Sequence, residues 1–232
     1  MDGYLFDLDG VLVPTAALHQ QAWAALFGEF FAADGVRPPY GADDYYKYVD
    51  GRPRCDGVAA VLASRGLTLP WGDPFDPPTA PTVCGLGNRK DQYFNAALAA
   101  AADFAPYPET VPVLQALGGR GAGLAVVTSS ENATQVLARA GLTDWFPVVV
   151  DGRHRRLHGL AGKPAPDTFT AAAGLLGLSP ARCAVVEDAV AGVAAGRAGG
   201  FGLVAGVDRG AGAPALAAAG ADAVMTSLEG LL

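Results

Sequence analysis

The chain has 232 residues, a formal net charge of −7 at pH 7 and a hydrophobic content of 51%. A chain of this length can bury one large core, or one core together with a smaller domain. Its acidic balance argues against a nucleic-acid partner and against docking on an anionic membrane. No apolar stretch approaches the length of a membrane span, and the pattern after Met1 is not that of a signal peptide. The three cysteines lack metal-ligand spacing and fit reduced thiols, so we expect a cytoplasmic protein.

The first dozen residues contain a short apolar run that ends on two acidic side chains. Residues 4–6 predict a buried strand, and Asp7, Asp9 and Gly10 follow it. Because alternate side chains of an extended chain share a face, the two carboxylates would lie on one side. A divalent cation or a shared proton would relieve their repulsion. The alternative interpretation is a loop with two solvated acids.

The middle of the chain, residues 15–106, has the pattern of helices and loops without a convincing strand. Apolar residues recur at helical spacing over residues 18–27, and two further helices are predicted over residues 58–67 and 91–104. The stretch 70–87 is rich in Pro, Gly, Asp and Thr and is predicted to be irregular.

After residue 106, short apolar runs alternate with alanine-rich helical stretches. These runs occupy residues 124–127, 148–150, 184–186, 201–204 and 223–225. Such a pattern indicates a parallel sheet with both faces covered. Since the first strand belongs with these runs, we predict an α/β fold with a core from residues 1–14 and 107–232. Residues 15–106 would form an inserted α-helical cap domain. The basic stretch 151–156 is predicted to be a solvated loop rather than a nucleic-acid contact.

Polar residues follow two of the later apolar runs in a way that suits an anion. Thr128, Ser129 and Asn132 follow the run 124–127 at the start of a helical pattern, where hydroxyls and free N–H groups can bind a phosphate. Helix capping explains the same residues equally well. Lys163 stands in a stiff loop flanked by prolines, which favours contact with an anion over an ordinary surface position.

A second pair of acids, Glu187 and Asp188, ends the buried run 184–186, where two charges would be costly without a positive partner. The acids, the hydroxyls and the lysine should therefore meet at one edge of the sheet. An oxygen-rich site of this kind suits Mg²⁺. A carboxylate beside the metal can attack phosphorus, while the second Asp of the first motif carries a proton.

Four segments, FDLDGV, VVTSS, GKPAPD and VVEDAVAG, occur in an order and spacing that resembles the haloacid dehalogenase-like superfamily. Within it, the chain is similar to the β-phosphoglucomutase-like group of enzymes with a small α-helical cap. The resemblance implies a Rossmann-like core in which Asp7 is the nucleophile and Asp9 the general acid and base. It also implies that Thr128 and Lys163 hold the transferring phosphoryl group. Two further substrate-binding residues are expected in the same loop: Ser129 and Asn132.

The resemblance also implies a Mg²⁺ ion bound by Asp7, the main-chain carbonyl of Asp9 and Asp188, with Glu187 alongside. An Asp two residues after the nucleophile indicates phosphoryl transfer and argues against a C–halogen hydrolase. A binding module that keeps only the fold is a further alternative. It is less expected because the acids and the lysine are all present.

In the mutases of this group, a histidine near the hinge, a cap arginine and a cap lysine handle the phosphate that is not transferred. His19, Arg54 and Lys90 stand at the matching positions, although ordinary surface charge is the alternative for each. One departure is Pro14, which stands where those mutases commonly carry an aspartate. Pro14 therefore leaves mutase activity open.

The resulting hypothesis is a Mg²⁺-dependent phosphotransferase that acts on a small-molecule sugar phosphate through a phosphoaspartate. Conversion of β-glucose 1-phosphate to glucose 6-phosphate is the favoured reaction, and a sugar-phosphate phosphatase with the same site is the close alternative. We expect a monomer without nucleic-acid or membrane partners.

Overall fold

The computed structural model describes residues 1–102 and 104–232. Its contacts divide the chain into two compact units. The first, which we call the core unit, comprises Met1–Pro14 and Phe104–Leu232, and the second, the cap unit, comprises Thr15–Asp103. The boundary predicted between residues 106 and 107 lies slightly further along the chain.

The core unit is organised around a six-stranded parallel sheet. Its strands are β1 (Gly3–Phe6), β2 (Gly123–Val127), β3 (Val148–Val150), β4 (Cys183–Glu187), β5 (Leu203–Val207) and β6 (Ala223–Met225). They lie in the order β3-β2-β1-β4-β5-β6, and every neighbouring pair is parallel. The chain runs outward in one direction from β1 to β3 and in the other from β4 to β6. The point where the order reverses is therefore between β1 and β4, which is where open α/β sheets place their ligands. The predicted parallel-sheet α/β fold is confirmed.

The cap unit consists of helices and loops, without a strand, over its described residues 15–102. Its helices are α1 (Ala16–Ala33), α2 (Ala42–Asp44), α3 (Arg54–Ala63) and α4 (Val83–Ala100), with one π-helical turn at Tyr45–Val49. Their apolar faces form a core that includes Trp23, Phe27, Val58, Leu62 and Leu86. The aromatic side chains of α1 therefore serve packing.

Six further helices cover the sheet. They are α5 (Thr110–Gly119), α6 (Ala133–Ala140), α7 (Gly152–Leu157), α8 (Asp167–Leu175), α9 (Val190–Ala198) and α10 (Ala213–Ala219). Short 3₁₀ helices lie at Thr143–Trp145, Pro180–Arg182 and Leu228–Leu231. The strands are buried because helices pack against them, and Leu5, Val185 and Phe169 are fully buried in this core. None of the described helices combines the length and the apolar character that a membrane crossing requires.

Helix α4 begins at Val83, eight residues before the predicted start. The hydroxyl of Thr82 accepts a hydrogen bond from the Gly85 amide at 2.9 Å and so caps the helix. A Cβ at Gly85 would lie 2.4 Å from the carbonyl oxygen of Ala80, so the glycine permits a close approach of two backbones. The prediction of irregular structure was therefore wrong for residues 83–87, whereas residues 70–82 form neither helix nor strand.

The basic stretch 151–156 was predicted as a loop but lies mostly in helix α7. The Asp151 side chain accepts a hydrogen bond from the His154 amide at 2.8 Å. Asp151 is therefore a side-chain N-cap, and it starts a helix directly after strand β3.

Candidate active site

The acids of the first motif stand at the carboxyl end of the central strand. The Asp7 amide donates to the Val186 carbonyl at 2.9 Å, so the backbone still follows the sheet where its side chain leaves β1. Gly10 then turns the chain with φ of +83°, a conformation that favours glycine. A Cβ at Gly10 would lie 1.9 Å from a carboxylate oxygen of Asp188. The second acid pair therefore lies against the first motif, as the strand ends predicted.

Lys163 lies at the centre of this arrangement. Its Nζ lies 2.5 Å from Asp7 Oδ1, 2.5 Å from Glu187 Oε1 and 3.0 Å from the Val127 carbonyl oxygen. The lysine side chain is 1% exposed. Burial by itself lowers the pKa of Lys163, but the carboxylates of Asp7 and Glu187 outweigh it and raise that pKa. Lys163 is therefore a fixed positive charge, and the alternative of a surface lysine is wrong.

The groups around Asp7 shift the pKa of its carboxyl group in opposite directions. Burial raises the pKa of Asp7, Lys163 opposes this, and the nearby Glu187 and Asp9 raise it again, so the net direction is upward. Four carboxylates, from Asp7, Asp9, Glu187 and Asp188, thus share the strand ends with one ammonium group. The attacking carboxylate of Asp7 must be ionised. A cation bound beside these four acids would favour the ionised form.

Glu187 is fully buried, and both of its oxygens accept hydrogen bonds. Oε1 contacts Lys163, and Oε2 accepts from the Ala189 amide at 3.0 Å. A Cβ on Gly192, in the first turn of α9, would lie 1.7 Å from Oε1, so only glycine leaves room for this carboxylate. These contacts anchor Glu187 beside Lys163.

The donor set fits Mg²⁺ only if main-chain and water oxygens complete it. Among residues 1–102 and 104–232, no three His, Cys, Asp or Glu side chains form a ready metal-binding group. Mg²⁺, however, commonly takes one or two carboxylates, keeps several waters and binds substrate phosphate. Asp7 and Asp188, with the main-chain carbonyl of Asp9, match that smaller set.

The hydroxyl-rich loop after β2 is tied to the first motif. Thr128 Oγ1 donates to Asp9 Oδ2 at 3.3 Å and accepts from the Ser130 amide at 3.1 Å. Ser130 Oγ accepts from the Asn132 amide at 3.1 Å, at the start of α6. The hydroxyls of Thr128 and Ser130 therefore order the turn before α6, whose N-cap residue Asn132 makes no side-chain capping hydrogen bond. Thr128 also contacts Asp9, and its role in phosphate binding stays a prediction. Ser129 and Asn132 lie in the same loop, and their substrate-binding role stays a prediction.

In the cap unit, His19 and Lys90 form one cluster. Lys90 is 4% exposed, and its Nζ lies 2.5 Å from His19 Nδ1. The same Nζ lies 5.1 Å from the ring centres of both Trp23 and Phe94, and the His19 ring stacks on Phe94 at 4.1 Å. Lys90 is thus a buried cation among aromatic rings, so ordinary surface charge does not describe it.

Arg54, the first residue of α3, contacts helix α4 at a different place. Its Nη2 donates to Asn88 Oδ1 at 2.8 Å, and its Nη1 lies 3.5 Å from Asp91 Oδ1. Asn88 was not predicted from the sequence as a functional residue. An asparagine within a helix carries no distinctive spacing signal, so only the fold reveals this contact.

Comparison with known proteins identifies the family of the chain. The family model of haloacid dehalogenase-like hydrolases matches residues 1–200. The chain belongs to this family. A relative from Mycobacterium tuberculosis (strain CDC 1551 / Oshkosh), named beta-phosphoglucomutase, is 47% identical over 98% of the chain and 90% of its own length. The haloacid dehalogenase-like chain is therefore an enzyme of the phosphotransferase type, in the β-phosphoglucomutase-like group.

Two further comparisons describe the breadth of this haloacid dehalogenase-like family. Fructose-1-phosphate phosphatase YqaB of Escherichia coli (strain K12) is 30% identical over 87% of the chain and 94% of its own length. The crystal structure of beta-phosphoglucomutase from Clostridium difficile superposes with a TM-score of 0.78 at 22% identity. That structure covers 100% of this chain and 93% of its own, and it supports the fold.

Proposed function

We propose that this enzyme transfers a phosphoryl group on a sugar phosphate, with Asp7 as the nucleophile and a phosphoaspartate as the intermediate. The favoured reaction is the conversion of β-glucose 1-phosphate to glucose 6-phosphate. The observation that carries the proposal is the buried ammonium group of Lys163, 2.5 Å from Asp7 Oδ1 at the switch point of the sheet. A cation fixed beside an acid in this position suits phosphoryl transfer.

In the first step, a carboxylate oxygen of Asp7 bonds to phosphorus while the bond from phosphorus to the sugar oxygen breaks. Asp9 gives a proton to the departing sugar oxygen. Lys163 and the hydroxyl of Thr128 bind oxygens of the transferring group and stabilise its negative charge. In the second step, Asp9 takes a proton from an incoming hydroxyl group, which attacks phosphorus and releases Asp7. A sugar hydroxyl makes this a mutase, and water makes it a phosphatase.

We propose that Asp7, Asp188 and the Asp9 carbonyl hold the Mg²⁺ ion. When bound, Mg²⁺ offsets negative charge on the carboxylates and on the phosphoryl oxygens. Glu187 supports this site from one shell further out, because its two oxygens are bonded to Lys163 and to the Ala189 amide. This supporting role agrees with the sequence prediction that Glu187 stands alongside the metal.

The cations of the cap unit are proposed to bind the phosphate that is not transferred. Lys90 is buried beside His19, and Arg54 is held by two side chains of α4. Both cations lie on or against helix α4, in a chain of net charge −7. If Arg54→Ala and Lys90→Ala leave the rate with sugar phosphate unchanged, this part of the proposal is wrong.

The mutase reaction is favoured because the chain is 47% identical to a relative named beta-phosphoglucomutase. The phosphatase reaction is supported by the relative named fructose-1-phosphate phosphatase, and Pro14, in place of the aspartate expected of the mutases, leaves mutase activity open. The purified enzyme should be incubated with β-glucose 1-phosphate, a trace of glucose 1,6-bisphosphate and Mg²⁺. Formation of glucose 6-phosphate supports the mutase, and free phosphate supports the phosphatase. In both cases Asp7→Asn should abolish turnover, and appreciable residual turnover would contradict the phosphoaspartate step.

A cytoplasmic location and a monomeric state stay predictions.

A further inference from the structure

One asparagine of the cap unit, Asn88 on α4, uses both ends of its side-chain amide. Its Nδ2 donates to the carbonyl oxygens of Pro74 and Asp76, at 3.0 and 2.7 Å. Its Oδ1 accepts from Arg54 Nη2 at 2.8 Å. Since carbonyl oxygens only accept hydrogen bonds, the NH₂ group must face them. The amide therefore has one orientation, and that orientation directs its oxygen at Arg54.

The segment that receives the Asn88 amide, residues 70–82, is itself fastened to α4. The Asp76 carboxylate accepts from Thr82 Oγ1 at 2.6 Å and from the Asp73 amide at 3.1 Å. Arg89 Nε donates to the Pro78 carbonyl at 2.9 Å. Asn88 thus connects the guanidinium of Arg54 to residues 70–82, a segment that is held in place by its own hydrogen bonds.

The contact between Asn88 and Arg54 differs in charge from another contact that Arg54 makes with α4. Arg54 also forms an ion pair with Asp91 of α4, in which Nη1 lies 3.5 Å from Oδ1 and the two side chains are 20% and 26% exposed. Ion pairs with this degree of exposure are weak and leave the arginine exchangeable between anions. An amide oxygen, by contrast, orients the guanidinium without neutralising its charge.

We propose that Asn88 is a positioning residue that fixes the Arg54 guanidinium in the orientation used to bind the non-transferring phosphate. The inference rests on the proposed function, in which Arg54 recognises that phosphate. Asn88 itself need not touch the substrate. Residues 70–82 are the support against which Asn88 holds the arginine.

The test compares two phosphoryl donors in the full-length enzyme with Mg²⁺. With β-glucose 1-phosphate and a trace of glucose 1,6-bisphosphate, the enzyme must recognise a second phosphate group. Acetyl phosphate has only the phosphate group that is transferred. Asn88→Ala should raise the KM for the sugar phosphate about tenfold, as expected for losing a hydrogen bond to a charged group. Its turnover of acetyl phosphate should equal that of the wild type. Asn88→Asp should raise the sugar-phosphate KM further, because a second carboxylate would then compete for Arg54.

Two controls separate positioning from general loosening of the cap. Tyr93→Phe removes a hydrogen bond of α4, from Tyr93 Oη to Glu29 Oε2 at 2.6 Å, without touching Arg54 or residues 70–82, so it should leave the sugar-phosphate KM within about twofold. The double variant Arg54→Ala/Asn88→Ala should be no worse than Arg54→Ala alone, because Asn88 acts through the arginine. Thermal unfolding monitored by circular dichroism checks that each variant is folded.

The outcomes distinguish this inference from the function on which it rests. If Arg54→Ala raises KM and Asn88→Ala does not, the positioning role is wrong and the proposed function survives. Equal losses on both donors, or additive losses in the double variant, would also overturn the positioning role. If Arg54→Ala has no effect on the sugar phosphate, the cap part of the proposed function fails first.

Discussion

Replacing Lys163 by methionine keeps much of the side-chain volume and removes the charge. In the structure this ammonium group lies between the carboxylates of Asp7 and Glu187, with exposed side-chain fractions of 1, 8 and 0%. Its loss leaves two buried acids without their shared cation. We expect the variant to be inactive and also markedly less stable.

The size of the stability loss follows from the type of contact. Removing one partner of a buried ion pair typically costs about 3–5 kcal/mol, because the remaining charge is left uncompensated. For a chain of this size, that loss lowers the midpoint of thermal unfolding by about 6–20 °C. Lys47→Met is the matched control. Lys47 is exposed, so its loss should change the unfolding free energy by less than about 0.5 kcal/mol.

The pH dependence gives the sharper test. Burial raises the pKa of Asp7 in the folded state and Lys163 opposes this, so the Lys163→Met variant should have a still higher Asp7 pKa. An acid with a raised folded-state pKa contributes stability that is present below its unfolded pKa, near 4, and is lost as the pH rises through the folded value. The loss in free energy of unfolding, relative to the wild type, should therefore be larger at pH 8 than at pH 5.

The assay is urea unfolding of both proteins at pH 5 and pH 8, with and without Mg²⁺. Added Mg²⁺ should recover part of the deficit at pH 8, since it supplies positive charge near the same carboxylates. An equal deficit at both pH values, unaffected by Mg²⁺, would show that lost packing explains the effect. That result would refute the electrostatic reasoning.

Three further predictions concern other parts of the molecule. Chelation of Mg²⁺ should abolish phosphoryl transfer from the sugar phosphate, and readdition should restore it; product formation that persists in the chelator would contradict a metal-dependent site. Gly10→Ala should lower kcat by about a hundredfold with little change in the circular dichroism spectrum, because its Cβ would lie 1.9 Å from Asp188 Oδ2 and displace that carboxylate. Hydrogen bonds from Arg65 hold the pKa of Asp44 below its ordinary value, so this pair contributes stability above about pH 4 that is lost as the pH falls further. Asp44→Asn should therefore melt lower than the wild type at pH 7, with the difference narrowing in acid, and a constant difference would count against the pair.

The parallel sheet was predictable because its signal is local and repeated. Apolar runs at residues 148–150 and 223–225 coincide with strands β3 and β6. The acids after β1 and β4 were predicted to meet because parallel strands end at the same edge of a sheet. The Asp188 carboxylate does lie against Gly10.

The starts of α4 and α7 were harder to predict, because their N-cap residues begin a helix where the local composition favours a loop. The first five residues of α4 include two glycines, and α7 opens on a glycine followed by charged residues, so the helical signal is weak at both starts. Thr82 and Asp151 are the N-caps that start these helices. Both residues are of types preferred at N-caps, so the sequence does carry a signal for these helix starts.

The sequence by itself determined which strand ends carry acids, a hydroxyl and a lysine, because each motif follows its own apolar run. Only the tertiary structure decided what each group contacts. Lys163 and Asp7 are 156 positions apart in the chain, and their 2.5 Å contact depends on how the loop before α8 packs against β1 and β4. The burial of Lys90 beside His19 and the link from Asn88 to Arg54 also join distant segments. No local pattern encodes such contacts, because they arise when separate helices and strands pack together.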